Sequence, residues 1–276
     1  MKNIFAGIFL LVSACFMQAQ TPNYYRNPDK IYLDSKEGHN GSFTWQMHKA
    51  DETKDPAEKI SQPGYQTGQW MPAIVPGTVL NSLVHNKVYP EPYYGMNNKL
   101  DRNIIPDLAK TGREFYTYWF RTEFDVPENY KDKIVWLQVD GINYRAEIWV
   151  NGYLLGNMSG MFKPEYINIT DFARIGQKNA LAIKIYPVDM PGTIKPKQWG
   201  AAGEFHNGGD GNIGLNTTML MSVGWDFTFN DGIRDRNTGI WKTSASMLRT
   251  KRSSAIHSSN PNSPNQATIW QKRLSV

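Results

Sequence analysis

The chain has 276 residues and one Cys, with 30 Lys and Arg against 25 Asp and Glu for a net charge of +5. The whole excess lies in residues 243–276, where Arg249, Lys251, Arg252, Lys272 and Arg273 meet no acidic residue, so residues 1–242 are neutral. A neutral body excludes a nucleic-acid partner, which needs a basic footprint, and a single Cys excludes an internal disulfide or a Cys-based zinc site.

Residues 1–19 read as an export signal, with Lys2, an apolar run from Ile4 to Met17, and Ala19 as a small residue suited to cleavage. The run is shorter than the ~20 residues that cross a bilayer. Cys15 lies inside it, and Val12-Ser13-Ala14-Cys15 resembles a bacterial lipobox. Two outcomes follow. Cleavage after Ala19 or Gln20 releases a chain without cysteine, whereas lipidation of Cys15 tethers it to a membrane. Either way the expected location is periplasmic or extracellular.

Residues 20–39 are polar and irregular. Ser42 to Met47 is the first plausible strand, and Trp70 to Gly77 is an extended run closed by Pro76-Gly77. Thr78 is placed to cap a short helix, the only one predicted, whose apolar positions Val79, Leu80, Leu83 and Val84 follow helical spacing.

The stretch Glu114 to Gly156 organises the chain. Tyr116 to Phe124, Lys133 to Asp140 and Tyr144 to Asn151 read as three consecutive antiparallel strands. Alternation puts Val135, Leu137 and Val139 inward and Gln138 and Asp140 outward. In the third strand it puts Ala146, Ile148 and Val150 inward and Arg145, Glu147 and Asn151 outward. Asn151-Gly152 supplies the positive-φ pair of a tight hairpin. Tyr166 to Thr170 and Asn179 to Tyr186 are further strands, residues 190–216 are loop, and Thr217 to Val223 and Gly239 to Lys242 are closing strands. Many strands without a βαβ rhythm indicate an all-β sandwich of jelly-roll type. The tail after Lys242 is rich in Ser and Asn, lacks strand alternation, and is expected to be disordered.

Motifs for other chemistries fail on context. Gly209 to Gly214 matches G-x-G-x-x-G, but no strand precedes it and no helix follows. Read as a calcium loop, the same stretch has Met221 where the bidentate Glu is required. His39, His48, His85, His206 and His257 show no metal spacing, and no G-x-S-x-G elbow occurs. No metal and no cofactor is expected. Glu204 and His206 are generic loop polars, and Arg234, Asp235 and Arg236 suggest a salt-bridge cluster anchoring the last strand. Four Asn-x-Ser/Thr sequons begin at Asn40, Asn157, Asn168 and Asn216; if the export signal is bacterial, as the lipobox-like Val12 to Cys15 suggests, they are chance matches. No feature sets the oligomeric state.

Five segments, in order, carry a resemblance: Val75 to Val79, Asp140 to Tyr144, Ile148 to Gly152, Gly224-Trp225-Asp226, and Ile233 to Trp241. Together they resemble the N-terminal domain of family 2 glycoside hydrolases, in the branch of β-mannosidases and exo-β-glucosaminidases. The resemblance implies a galactose-binding-like jelly-roll over residues 40–242. In the family an immunoglobulin-like domain and a (β/α)8 barrel follow, and two barrel carboxylates about 5 Å apart perform retaining hydrolysis. It therefore implies a carbohydrate partner and no catalytic residue in this chain. It also implies that Trp225 and Asp226 help hold a terminal sugar, the indole against its C–H face and the carboxylate on its hydroxyls. Without the resemblance, Trp225 reads as a core aromatic and Asp226 as a turn former.

Because family-like sequence stops near Lys242, residues 243–276 are read as an out-of-frame continuation of a truncated enzyme. A stand-alone carbohydrate-binding module and a non-functional product are the alternatives.

Overall fold

A computed structural model describes residues 30–37, 41–92, 94–97, 102, 104–106, 113–188, 237–242 and 246–251. Its strands are β1 (Lys30–Tyr32), β2 (Trp45–Lys49), β3 (Met71–Pro72), β4 (Gly77–Thr78), β5 (Tyr118–Asp125), β6 (Lys133–Val139), β7 (Ile142–Asn143), β8 (Arg145–Val150), β9 (Tyr153–Ser159), β10 (Glu165–Asn168), β11 (Lys178–Tyr186), β12 (Gly239–Ile240) and β13 (Ser246–Lys251). Two short α-helices, α1 (Ala57–Ile60) and α2 (Val79–His85), and three 3-10 turns, Ala50–Glu52, Arg113–Tyr116 and Glu128–Tyr130, complete the described elements.

The strands form a six-stranded sheet in the order β3-β2-β5-β11-β8-β9, a four-stranded sheet β1-β13-β6-β10, and a small three-stranded sheet β4-β12-β7. The all-β sandwich expected from the sequence is what the chain adopts. Its core joins Trp45, Met47, Phe120 and Phe124 to Val135, Leu137 and Val139 from the facing sheet, and to Ile148, Leu181 and Ile183. These side chains are 0–2% exposed, each worth about 1.5–3 kcal/mol of burial for the Val, Leu, Ile, Met and Phe members. The alternation of β6 and β8 points the predicted residues inward.

A second, smaller cluster lies on the outer face of the large sheet, where Ile60 of α1 packs against Trp119 and Ala182. This is why β5 is buried on both faces along most of its length and reads as an almost unbroken aromatic and β-branched run. On α2, the Thr78 side chain accepts the Asn81 N–H at 3.0 Å, and Val79, Leu80 and Leu83 are buried, as the helical spacing requires.

Several expectations are corrected. The three strands of the organising stretch are not one meander: β5 and β8 share the large sheet with β11 between them, and β6 belongs to the facing sheet. Alternation fixes which face of a strand is buried but carries no information about its neighbour. The first strand is displaced toward the C-terminus, to Trp45–Lys49, and Tyr116 belongs to a 3-10 turn rather than to β5. Lys30–Tyr32 pairs with β13 although it falls in the segment read as irregular. Ser246–Lys251 is a strand paired with both β1 and β6, not disordered chain, because two neighbours satisfy its backbone whatever its side-chain pattern. β9 was not foreseen; it is a largely exposed edge strand containing Gly156. The helix α1 was likewise missed, being a single turn.

Candidate functional site

Three of the five resembling segments meet in the small sheet. Gly239 pairs with Thr78 on one side and Asn143 on the other, and Ile240 pairs with Gly77 and Ile142. The Val79 N–H donates to the Thr238 carbonyl at 2.8 Å. Gly239 has φ +152°, and a Cβ there would stand 2.5 Å from the Gly77 carbonyl oxygen and 2.6 Å from Thr78 Cα, so only glycine lets β12 lie this close to β4. Gly141 serves a different contact. A Cβ on it would come within 2.7 Å of the Trp241 indole nitrogen, which donates to the Met161 carbonyl at 2.9 Å. The Trp241 ring meets Phe162 edge-on, with centroids 5.5 Å apart.

Asn143 sits at the centre of this corner and is 0% exposed. Its Nδ2 donates to the Asn237 carbonyl at 3.2 Å and to Asn237 Oδ1 at 2.8 Å. Its Oδ1 is buried without a hydrogen-bond partner among the described residues, a condition that native interiors seldom leave unanswered. The next residue, Tyr144, donates its N–H to the Tyr186 carbonyl at 3.0 Å.

These contacts hold the two ends of the segment that runs between β11 and β12. Residues 189–236 connect the end of β11 to β12. The chain leaves beside Tyr144, which holds Tyr186, and returns beside Asn143, which holds Asn237. Both ends of the connection are thus fastened to one pair of adjacent residues. Trp225 and Asp226 belong to that connection and lie outside the described residues. So do Glu204, His206, Gly209 to Gly214, the predicted strand Thr217 to Val223, and Arg234, Asp235 and Arg236. Asn143 carries no role in the sequence reading beyond its place in the resembling Asp140 to Tyr144; its burial is visible only in the fold.

Among the described residues no group of three or more His, Cys, Asp or Glu could hold a metal ion, and no helix is long and apolar enough to cross a membrane.

Comparison with known proteins agrees with the geometry. A mannosylglycoprotein endo-β-mannosidase of Lilium longiflorum is 40% identical over 179 residues, covering 65% of this chain and 17% of that protein. An exo-β-D-glucosaminidase of Amycolatopsis orientalis is 27% identical over 133 residues, 47% of this chain and 12% of the relative. The chain thus spans less than a fifth of the length of these relatives. Among solved structures, the exo-chitosanase of Amycolatopsis orientalis superimposes with a TM-score of 0.53 at 20% identity, covering 80% of this chain and 21% of that one. The β-D-mannosidase of Dictyoglomus thermophilum does so with 0.52 at 22%, covering 80% and 23%. At these identities the structures speak to the fold. The family described as "Glycosyl hydrolase 2 galactose-binding domain-like" matches residues 45–242, from β2 to the residue after Trp241, and the chain belongs to that family.

Proposed function

We propose that residues 45–242 form the sugar-facing accessory sandwich of an exported β-glycosidase acting on β-linked mannose- or glucosamine-type sugars. Trp225 and Asp226 hold the terminal sugar, and the hydrolytic carboxylates lie outside these 276 residues. The lily relative is named an endo-enzyme and the Amycolatopsis relative an exo-enzyme, so the proposal rests on the sugar class common to them rather than on the mode of attack.

One observation carries the reading. The corner at which Tyr144 holds Tyr186 and Asn143 holds Asn237 fastens both ends of the connection that contains Trp225 and Asp226. A binding loop held by a rigid scaffold at both ends pays less ordering entropy when a sugar docks. An indole face and a carboxylate are groups suited to holding a pyranose, whereas cleavage needs a pair of carboxylates flanking the scissile bond.

The purified chain is therefore expected to release no nitrophenol from aryl β-mannoside or β-glucosaminide, and turnover above the buffer rate would refute the assignment. Export through residues 1–19 belongs to the same proposal. Mass spectrometry of the mature N-terminus distinguishes cleavage after Ala19 or Gln20 from a diacylated Cys15.

A further inference from the structure

The outer surface of the six-stranded sheet carries an open cleft of about 540 Å³ that the reading above does not use. Its floor is the outward row of β5, Arg121 and Glu123, with Gln46 of β2 alongside. The loop 64–67 walls it, and Lys178 at the start of β11 stands at its end.

Arg121 is only 4% exposed and is fixed at three points. Its Nε donates to the Ile60 carbonyl at 2.9 Å, and its Nη2 donates to the Gln62 carbonyl at 2.7 Å and to Glu123 Oε1 at 2.5 Å. The Tyr65 ring lies 5.7 Å from the guanidinium, and its hydroxyl donates to Asp55 Oδ2 at 3.0 Å. Glu123 Oε1 also accepts the Gly64 N–H at 2.7 Å, while Lys178 Nζ approaches Oε2 only to 3.8 Å. A buried arginine paired with a half-buried carboxylate, and held by this many fixed contacts, forms an ordered array. Within it, Arg121 Nη1 and Glu123 Oε2 hold no hydrogen bond among the described residues, and the Gln46 amide beside them is equally uncommitted.

Charge selects the ligand class. Arg121 and Lys178 balance Glu123 and Asp125, so neither an anion nor a cation meets a net field of opposite sign. Fixed donors and acceptors stand side by side, and a hydroxyl is a neutral group that serves both at once. Tyr65 and Phe43, which also line the cleft, supply apolar surface for a ring's C–H edge. The volume falls in the range of small-ligand sites.

We propose that this cleft binds a neutral carbohydrate of one or two pyranose units through Arg121, Glu123, Gln46 and Lys178. The proposal goes beyond the role given to Trp225 and Asp226, since it uses none of their atoms.

The test is calorimetric titration of the full chain with mannobiose and with cellobiose, repeated in potassium sulfate. Disaccharide binding unaffected by sulfate is expected for the wild type. A Gln46→Ala/Lys178→Ala variant, altered only at the cleft's side-chain rim, is expected to melt as the wild type does and to bind at least about tenfold more weakly. A Trp225→Ala/Asp226→Asn variant should keep the wild-type affinity. Absence of binding, affinity unchanged in the rim variant, or displacement by sulfate overturns the cleft. Loss confined to the Trp225→Ala/Asp226→Asn variant overturns it too while supporting the accessory-site reading, so the two proposals fail separately.

Discussion

Gly239 shows how little freedom the small sheet allows. With φ +152° and a would-be Cβ inside contact distance of the Gly77 oxygen, Gly239→Ala must both strain the backbone and push β12 off β4. The expected loss is about 2–4 kcal/mol, read as a lower denaturant midpoint with an unchanged slope. Glu123 offers a test of opposite character, through pH. Burial pushes its carboxyl up, but the hydrogen bonds from Arg121 and Gly64, with the charges of Arg121 and Lys178, outweigh burial and hold it below its ordinary 4.5. A depressed carboxyl stabilises the fold above its unfolded value, and the contribution is lost as pH falls through 4.5 toward the folded value. Glu123→Gln should therefore melt below the wild type at pH 7, and the gap should close on acidification below pH 4.5. A gap independent of pH would show that the carboxylate is not held in this way.

At the scale of elements, the β8–β9 hairpin is governed by a residue expected to face solvent. Asn151 has φ 51° and Gly152 φ 94°, the positive-φ pair of the predicted turn, yet Asn151 is 1% exposed. Its Nδ2 donates to the Phe172 carbonyl at 2.8 Å and to Asn179 Oδ1 at 2.7 Å, and its Oδ1 accepts the Ala180 N–H at 2.9 Å. The turn is thereby tied to the start of β11 and to the loop before it. Asn151→Ala leaves the Ala180 N–H and part of Asn179 unpaired in the interior and is expected to cost about 2–4 kcal/mol. Asn151→Gly keeps the turn's dihedral freedom but not the hydrogen bonds. Equal losses in the two variants would assign the cost to the bonds; a much milder Gly variant would assign it to the turn.

For the whole molecule, the decisive element is β13. It lies between β1 and β6, with Lys30 opposite Leu248 and Ser246 opposite Gln138. Ending the chain at Lys242 removes the strand that joins β1 to the sandwich and bares one edge of β6, an invitation to intermolecular pairing. The shortened chain is expected to melt several degrees lower than one ending at Lys251 and to aggregate on heating. Coincident melting curves would separate β13 from the cooperative unit.

Period-two alternation in β6, β8 and β11, the Thr78 cap and the Asn151-Gly152 turn depend on residues within a few positions of one another, so the sequence by itself determined these three strands and their inward faces, helix α2 and the turn after β8. The ordered Gly77, Asn143 and Gly239 segments likewise sufficed to indicate the family. Strand neighbours were a different matter: β11 between β5 and β8, β6 in the facing sheet, and β13 against β1 are pairings between distant positions, which side-chain alternation does not encode. The same holds for the burial of Asn151, for the single corner where Tyr144 and Asn143 fasten both ends of the connection carrying Trp225 and Asp226, and for the Arg121–Glu123 cleft. Each requires backbones far apart in sequence to come within hydrogen-bonding distance, and only the tertiary structure brings them there.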